Sequence, residues 1–138
     1  MKESSFVKLI KKNVTIYNWF RIETTTQQGF PDLIGIAPHM DTVFVECKVA
    51  RNKRITFSPH QISMSIRLDQ MSLGCSYILV DDEHAKPLHG ARELLYEAKN
   101  VVNLQKNMQN VPRLAVGWPS IIKFLQIKHE KSAENREL

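Results

Sequence analysis

At 138 residues, with 43% hydrophobic and 24% charged side chains, the chain has the composition of one globular domain with a single core. It holds no apolar run of about 18 residues and no charged-then-apolar leader, so a membrane span and a secretion signal are not expected and the cytoplasm is the expected compartment. The formal net charge of +5 lies wholly within residues 47–68, where Lys48, Arg51, Lys53, Arg54 and Arg67 occur without an acid, while bases and acids balance elsewhere.

Phe6, Leu9 and Ile10 recur at helical spacing, which predicts a first helix from residue 1 or 4 to 12, ending near Asn13. Residues 16–26, 33–37 and 42–49 read as three strands, with Asp41 in the turn before the third. Ser58-Pro59-His60-Gln61 announces a helix, because serine suits the N-cap, proline the first helical position, and glutamine the third residue after the cap. This helix should run to about residue 72, with Gly74 ending it. Residues 77–80 read as a buried strand closed by an acidic turn, Asp81-Asp82-Glu83. Residues 92–99 fit either a helix or a short strand and turn; 101–104 look extended. Trp118-Pro119-Ser120 opens a helix carrying Ile121, Ile122, Phe124, Leu125 and Ile127, and residues 129–138 look like a flexible polar tail behind a single domain of residues 1–128.

Two stretches carry chemistry. In Phe44-Val45-Glu46-Cys47-Lys48, alternation puts Glu46 and Lys48 on one face of a strand and Val45, Cys47 and Val49 on the other. In Gly29-Phe30-Pro31-Asp32-Leu33, proline marks a strand start or edge, because it cannot donate to a ladder, and leaves Asp32 at an irregular position facing a neighbouring strand.

Asp32 after a proline, Glu46-x-Lys48 in an apolar strand and Gln61 at a helix start together resemble the PD-(D/E)XK nuclease superfamily. The likeness covers about residues 1–82. Within that superfamily the spacing is similar to the small VRR-NUC and archaeal-type Holliday junction resolvase branches, which phages and archaea often encode. The resemblance implies an α/β fold with a restriction-endonuclease-like α-β-β-β-α-β core, its mixed sheet flanked by helices. It further implies a Mg²⁺- or Mn²⁺-dependent endonuclease acting on DNA, with branched DNA or Holliday junctions the leading substrate. Asp32 and Glu46 would hold the cation, joined by the Cys47 backbone carbonyl; Lys48 would orient or deprotonate the attacking water; Gln61 would border the site. Related resolvases also use a first-helix glutamate, for which Glu3 stands on the face of Phe6, Val7 and Ile10, with Glu23 a weaker substitute.

Each residue has a plainer reading. Asp32 suits a turn, Glu46 and Lys48 suit a same-face pair on an exposed edge strand, Gln61 is explained by capping alone, and Glu3 falls outside the helix if Ser4 or Ser5 is the cap. Against the second of these stand the apolar neighbours Phe44, Val45, Cys47 and Val49, which bury the strand. Arg51, Lys53, Arg54 and Arg67, together with His60 in the first helical turn, form the expected phosphate-contacting strip. Cys47 and Cys75 lack zinc spacing and read as small buried hydrophobes, while His39, His84, His89 and His129 read as surface or turn residues.

The helix after Gln61 has one stripe of Ile62, Ile66 and Leu73 and an opposite one of Met64, Leu68 and Met71. Burial of both requires either a homodimer, in keeping with two cuts in a symmetric junction, or a cover formed by residues 118–127. Three other functions compete: a nickase or flap- or single-strand-specific nuclease, a noncatalytic nucleic-acid-binding module on the same fold, and a protein that binds an acidic partner.

Overall fold

A computed structural model describes residues 1–23, 28–83 and 91–131. Helix α1 (Glu3–Asn13) is followed by strands β1 (Asn18–Arg21), β2 (Leu33–Ile36) and β3 (Val43–Ala50), helix α2 (Pro59–Met71), and strands β4 (Ser76–Asp82) and β5 (Glu93–Glu97). A 3-10 turn, Ala98–Asn100, then leads into α3 (Val101–Asn107), β6 (Ala115–Val116) and α4 (Trp118–His129). The six strands form one sheet in chain order. Neighbours are antiparallel except β3 and β4, which run parallel and are joined through α2. This mixed α/β sheet with helices on both faces is the restriction-endonuclease-like order. No helix among the described residues is long and apolar enough to cross a membrane.

The sheet separates two apolar layers. Val45, Cys47, Tyr77 and Leu79 point into the layer closed by Phe6, Val7 and Ile10 of α1 and by Ile121 and Leu125 of α4. Ile78, Val80, Leu94 and Tyr96 point to the other side, against Val101 and Leu104 of α3 and the half-buried Ile62 and Ile66 of α2. Covering β4 on both faces explains its unbroken run Tyr77-Ile78-Leu79-Val80, since neither face meets water.

Helix α2 starts with the expected Ser58 cap and ends at Met71, where Leu73 and Gly74 both take positive φ and the Gly74 N–H bonds the Asp69 carbonyl. Its cover differs from both expectations. Met64 and Leu68 are buried within the chain and α2 packs on α3, the turn before it and β4, whereas α4 lies across the sheet. The stripes therefore do not call for a partner; only Met71 and Leu73, at the helix end, stay exposed.

Four other local readings change. Residues 101–104 are helical rather than extended, because Val101, Leu104 and Met108 present one apolar stripe to the second layer. Asp81 and Asp82 belong to β4 and are buried, not turn residues: Arg92 and Lys53 neutralise them in place. The first strand is only four residues long, and part of its expected extent, residues 24–27, lies outside the described residues. Finally, the start of the expected tail is anchored. His129 ends α4 and is 2% exposed, Glu130 bridges Met40, and the Lys131 N–H bonds the His39 carbonyl.

Candidate active site

Strand β3 supplies the framework. Its register with β2 ends at Leu33 opposite Val45, just where Pro31 removes a donor and the chain turns away. Beyond that point the Cys47 N–H has no β2 carbonyl opposite it and instead donates to Asp32 Oδ2 at 2.8 Å. Asp32 thus replaces a ladder partner and is held beside β3 by the irregularity that proline imposes.

On the second face of the sheet, Glu46 and Lys48 lie opposite Ile78 and Val80 of β4 in the parallel register. They occupy positions that would otherwise extend the apolar layer, and they are 4% and 7% exposed. Charges so placed need partners. Lys48 Nζ donates to Gln61 Oε1 at 3.0 Å and lies 5.0 Å from the centre of the Phe57 ring. Gln61 Nε2 in turn donates to Glu46 Oε1 at 3.2 Å.

Gln61 both caps α2 and contacts β3. Its N–H donates to Ser58 Oγ at 3.1 Å, and its Oε1 accepts from the Ser58 N–H at 3.0 Å, completing a capping box. The same oxygen accepts from Lys48. One amide therefore fixes the helix start relative to the acid and the ammonium of β3.

Glu3 lies inside α1, at its first residue, and its Oε1 is 3.8 Å from Lys48 Nζ. Burial raises its pKa, Lys48 opposes that rise, and Asp32 adds to it, so Glu3 shares the electrostatic environment of the cluster. Glu23 instead forms an exposed pair with Arg21.

The group holds more negative charge than it can neutralise alone. Burial, followed by the charge of Asp32 and a hydrogen bond shared with it, pushes the Glu46 pKa up to about 9, although Lys48 pulls the other way. Glu3 and Glu46 both feel the Lys48 ammonium, and Asp32 adds its charge to each. Adjacent oxygen donors with uncompensated charge fit a hard divalent cation such as Mg²⁺ or Mn²⁺, which Asp32 and Glu46 would hold, with Glu3 and the Cys47 carbonyl as further oxygens. The Cys47 thiol belongs to the opposite layer and is no ligand; burial keeps it protonated by raising its pKa well above the ordinary value.

The basic strip divides. Arg51 and Arg54 flank a tight turn whose central residues, Asn52 and Lys53, have positive φ, and each donates its N–H to the other's carbonyl. Glu3, Lys48, Val49, Arg51, Arg54 and Thr56 line an open cleft of about 260 Å³. Two arginines are thereby brought beside Glu3 and Lys48. Lys53 is turned to Asp82, with which it forms a hydrogen-bonded ion pair. His60 is exposed in the first turn of α2 and Arg67 is exposed farther along it.

Gly29 and Phe57 were not legible as site residues. Gly29 has φ +83°, and a Cβ there would stand 2.2 Å from the His60 carbonyl oxygen and 2.8 Å from the Gln61 nitrogen. Only a glycine lets the Asp32 loop touch the start of α2. A glycine shortly before the Pro-Asp pair was the available signal; Phe57 offered none. His84 and His89 lie outside the described residues.

A family described as archaeal Holliday junction resolvase (hjc) matches residues 21–115, about two thirds of the chain and all of the segment from β2 to β5. No curated protein matches the sequence significantly.

Proposed function

The chain belongs to the archaeal Holliday junction resolvase family, a family of PD-(D/E)XK-type nucleases, and on that premise we propose that it is a divalent-metal-dependent endonuclease selective for branched DNA. The observation that carries the reading is the convergence of Asp32, Glu46, Lys48 and Gln61 where β2 leaves β3, with burial and the neighbouring Asp32 charge raising the Glu46 pKa.

When bound, the cation lowers the pKa of a water and offsets the charge that develops on the phosphate. Asp32 and Glu46 present carboxylate oxygens from two segments that the Cys47 N–H locks together. Lys48, held by Gln61 and the Phe57 ring, presents its ammonium to the attacking water or to a nonbridging phosphate oxygen. Arg51 and Arg54 receive the flanking phosphates along the adjoining cleft, while His60 and Arg67 lie exposed on α2 for more distant contacts.

Two cuts in a symmetric junction call for two such centres, hence a C₂ homodimer. Met64 and Leu68 of α2 are covered within the chain and offer little surface for it. The better candidate is the open half of the sheet, where Phe20 and Ile36 on β1 and β2 are 55% and 46% exposed beside the partly exposed Ile34 and Phe44.

Purified protein incubated with four-way junction, flap, single-stranded and linear duplex DNA in Mg²⁺, Mn²⁺ or Ca²⁺ tests this. Paired symmetric cuts confined to the junction are expected, in Mg²⁺ or Mn²⁺ only. Preferred cutting of flaps or single strands would replace the junction reading with the other nuclease specificities. Binding without products in any metal would identify a noncatalytic module.

A further inference from the structure

Away from the proposed nuclease centre, at the start of the β3–β4 pair, three segments meet: the turn before β3, the residue before β4 and the last residue of α4. There Asp41, Cys75 and His129 place a carboxylate oxygen, a sulfur and a ring nitrogen all within 4.8 Å of one another. We propose that these three side chains form a second cation site of the zinc type, which pins the end of α4 to the rim of the sheet.

Ligand chemistry separates this site from the first. The nuclease centre offers oxygen alone and suits hard cations, whereas thiolate with imidazole and one carboxylate suits a borderline ion such as Zn²⁺. A thiolate and a carboxylate also balance the two positive charges of that ion.

Geometry points the same way. Asp41 Oδ2 is 3.0 Å and Cys75 Sγ 3.9 Å from the same nitrogen, His129 Nδ1. Tetrahedral zinc with bonds of about 2.0–2.3 Å sets its ligand atoms about 3.3–3.6 Å apart, so both separations fall within about half an ångström of what is needed. A neutral imidazole nitrogen can donate only one proton, and Asp41 suffices to receive it. The sulfur lies on the same nitrogen at the long end of hydrogen-bond range, so carboxylate and sulfur converge on one ring atom.

The surroundings are already organised for coordination. His129 Nε2 is hydrogen-bonded to the buried Tyr77 hydroxyl, the second partner that fixes ring orientation in metal-binding histidines. With Nδ1 on the metal, Nε2 carries the proton and donates to the Tyr77 oxygen. In the metal-free form the direction reverses, and Tyr77 donates to Nε2 while Nδ1–H donates to Asp41. Either state satisfies the ring. Backbone bonds tie the three segments to one another: the Asp41 N–H donates to the His129 carbonyl at 3.0 Å and the Phe44 N–H to the Cys75 carbonyl at 2.9 Å. The Tyr17 hydroxyl donates to the Asp41 carbonyl and the Cys75 N–H to Ser72 Oγ. Asp41 and Cys75 remain partly open to solvent, which leaves an entry route and a fourth position for water.

Titration of the full chain with Co²⁺, followed by displacement with Zn²⁺, tests the site. A thiolate-to-cobalt charge-transfer band with tetrahedral d–d absorption is expected, because the all-oxygen nuclease centre cannot produce one. It should vanish in Cys75→Ser, and Tyr77→Phe should weaken Co²⁺ binding by about 10–100-fold while preserving the ring. In an Asp32→Ala background, Zn²⁺ should raise the Tm, and adding Cys75→Ser should abolish that rise. Absence of the band in folded wild type, its survival in Cys75→Ser, or its loss in Asp32→Ala instead would each overturn the proposal. Should Tyr77→Phe fail to fold, the substitution at the partly exposed Cys75 still decides it. Nuclease activity enters none of these readouts, so failure here leaves the proposed function untouched.

Discussion

Glu46 on β3 and Asp81 and Asp82 at the end of β4 are all buried carboxylates within one parallel strand pair, yet they are treated in opposite ways. Asp81 accepts two hydrogen bonds from Arg92, at 3.0 and 2.7 Å, and Asp82 is paired with Lys53. Each acid has a cation of its own. Glu46 shares Lys48 with Glu3, and burial together with the Asp32 charge raises its pKa to about 9. Burial by itself therefore does not identify a functional acid; the imbalance of charge does. On the proposed reading, Asp81 and Asp82 are neutralised by the fold, whereas Glu46 is left for a cation the fold does not contain.

The largest effect that would break this distinction is kinetic. Asp32→Ala or Glu46→Ala should lower junction cleavage by about 10³-fold or more, roughly 4 kcal/mol of transition-state stabilisation, without unfolding the chain. Retained cleavage in either variant would remove the centre from the chemistry. Asp81→Ala should do the reverse. It leaves the Arg92 guanidinium without its buried partner and, allowing for the exposure of that arginine, should cost about 2 kcal/mol in urea unfolding. Cleavage by the folded fraction should be unchanged.

The pH dependence of stability sharpens the comparison. Glu46 has a folded pKa raised from an ordinary 4.5 to about 9, so between these values the native state binds a proton that the unfolded chain releases. Metal-free stability is therefore fully supported below about pH 4.5 and declines as pH rises toward 9. Scanning calorimetry should show this fall in wild type, a flatter curve in Glu46→Gln, and recovery of the wild-type Tm on adding Mg²⁺. Parallel curves for the two proteins would contradict the assignment. The smallest effect concerns the cleft arginines. Neutralising Arg51 and Arg54 together should reduce the slope of log K against log salt by about 2 for duplex arms. Lys53→Gln should act chiefly on stability, through Asp82; an equal change of salt slope from Lys53 would show that its ion pair opens for DNA.

How much was legible depended on whether the deciding contacts were local. The Ser58–Gln61 cap, the alternation that puts Glu46 with Lys48, and the proline before Asp32 are written within a few residues, and the structure bears out their placement. Residues 101–104 were misread because four residues cannot distinguish a strand from the first turn of a helix whose stripe continues to Met108. Asp81 and Asp82 looked like a turn because their cations lie about 11 and 29 residues away in sequence. Cys75 and His129 likewise showed no metal spacing, being 54 residues apart along the chain, and only the return of α4 to the sheet joins them to Asp41.

From its order of residues alone, the chain determined the alternating strand, the capped helix and the excess of positive charge after β3, because periodicity and capping act over a few bonds. Tertiary structure decided which charges were left over. It paired Asp81 and Asp82, turned Lys53 away, brought Glu3 to Lys48 and pressed Gly29 against the start of α2. Neutralisation depends on distance in space and on exclusion of water, and neither quantity is carried by sequence separation.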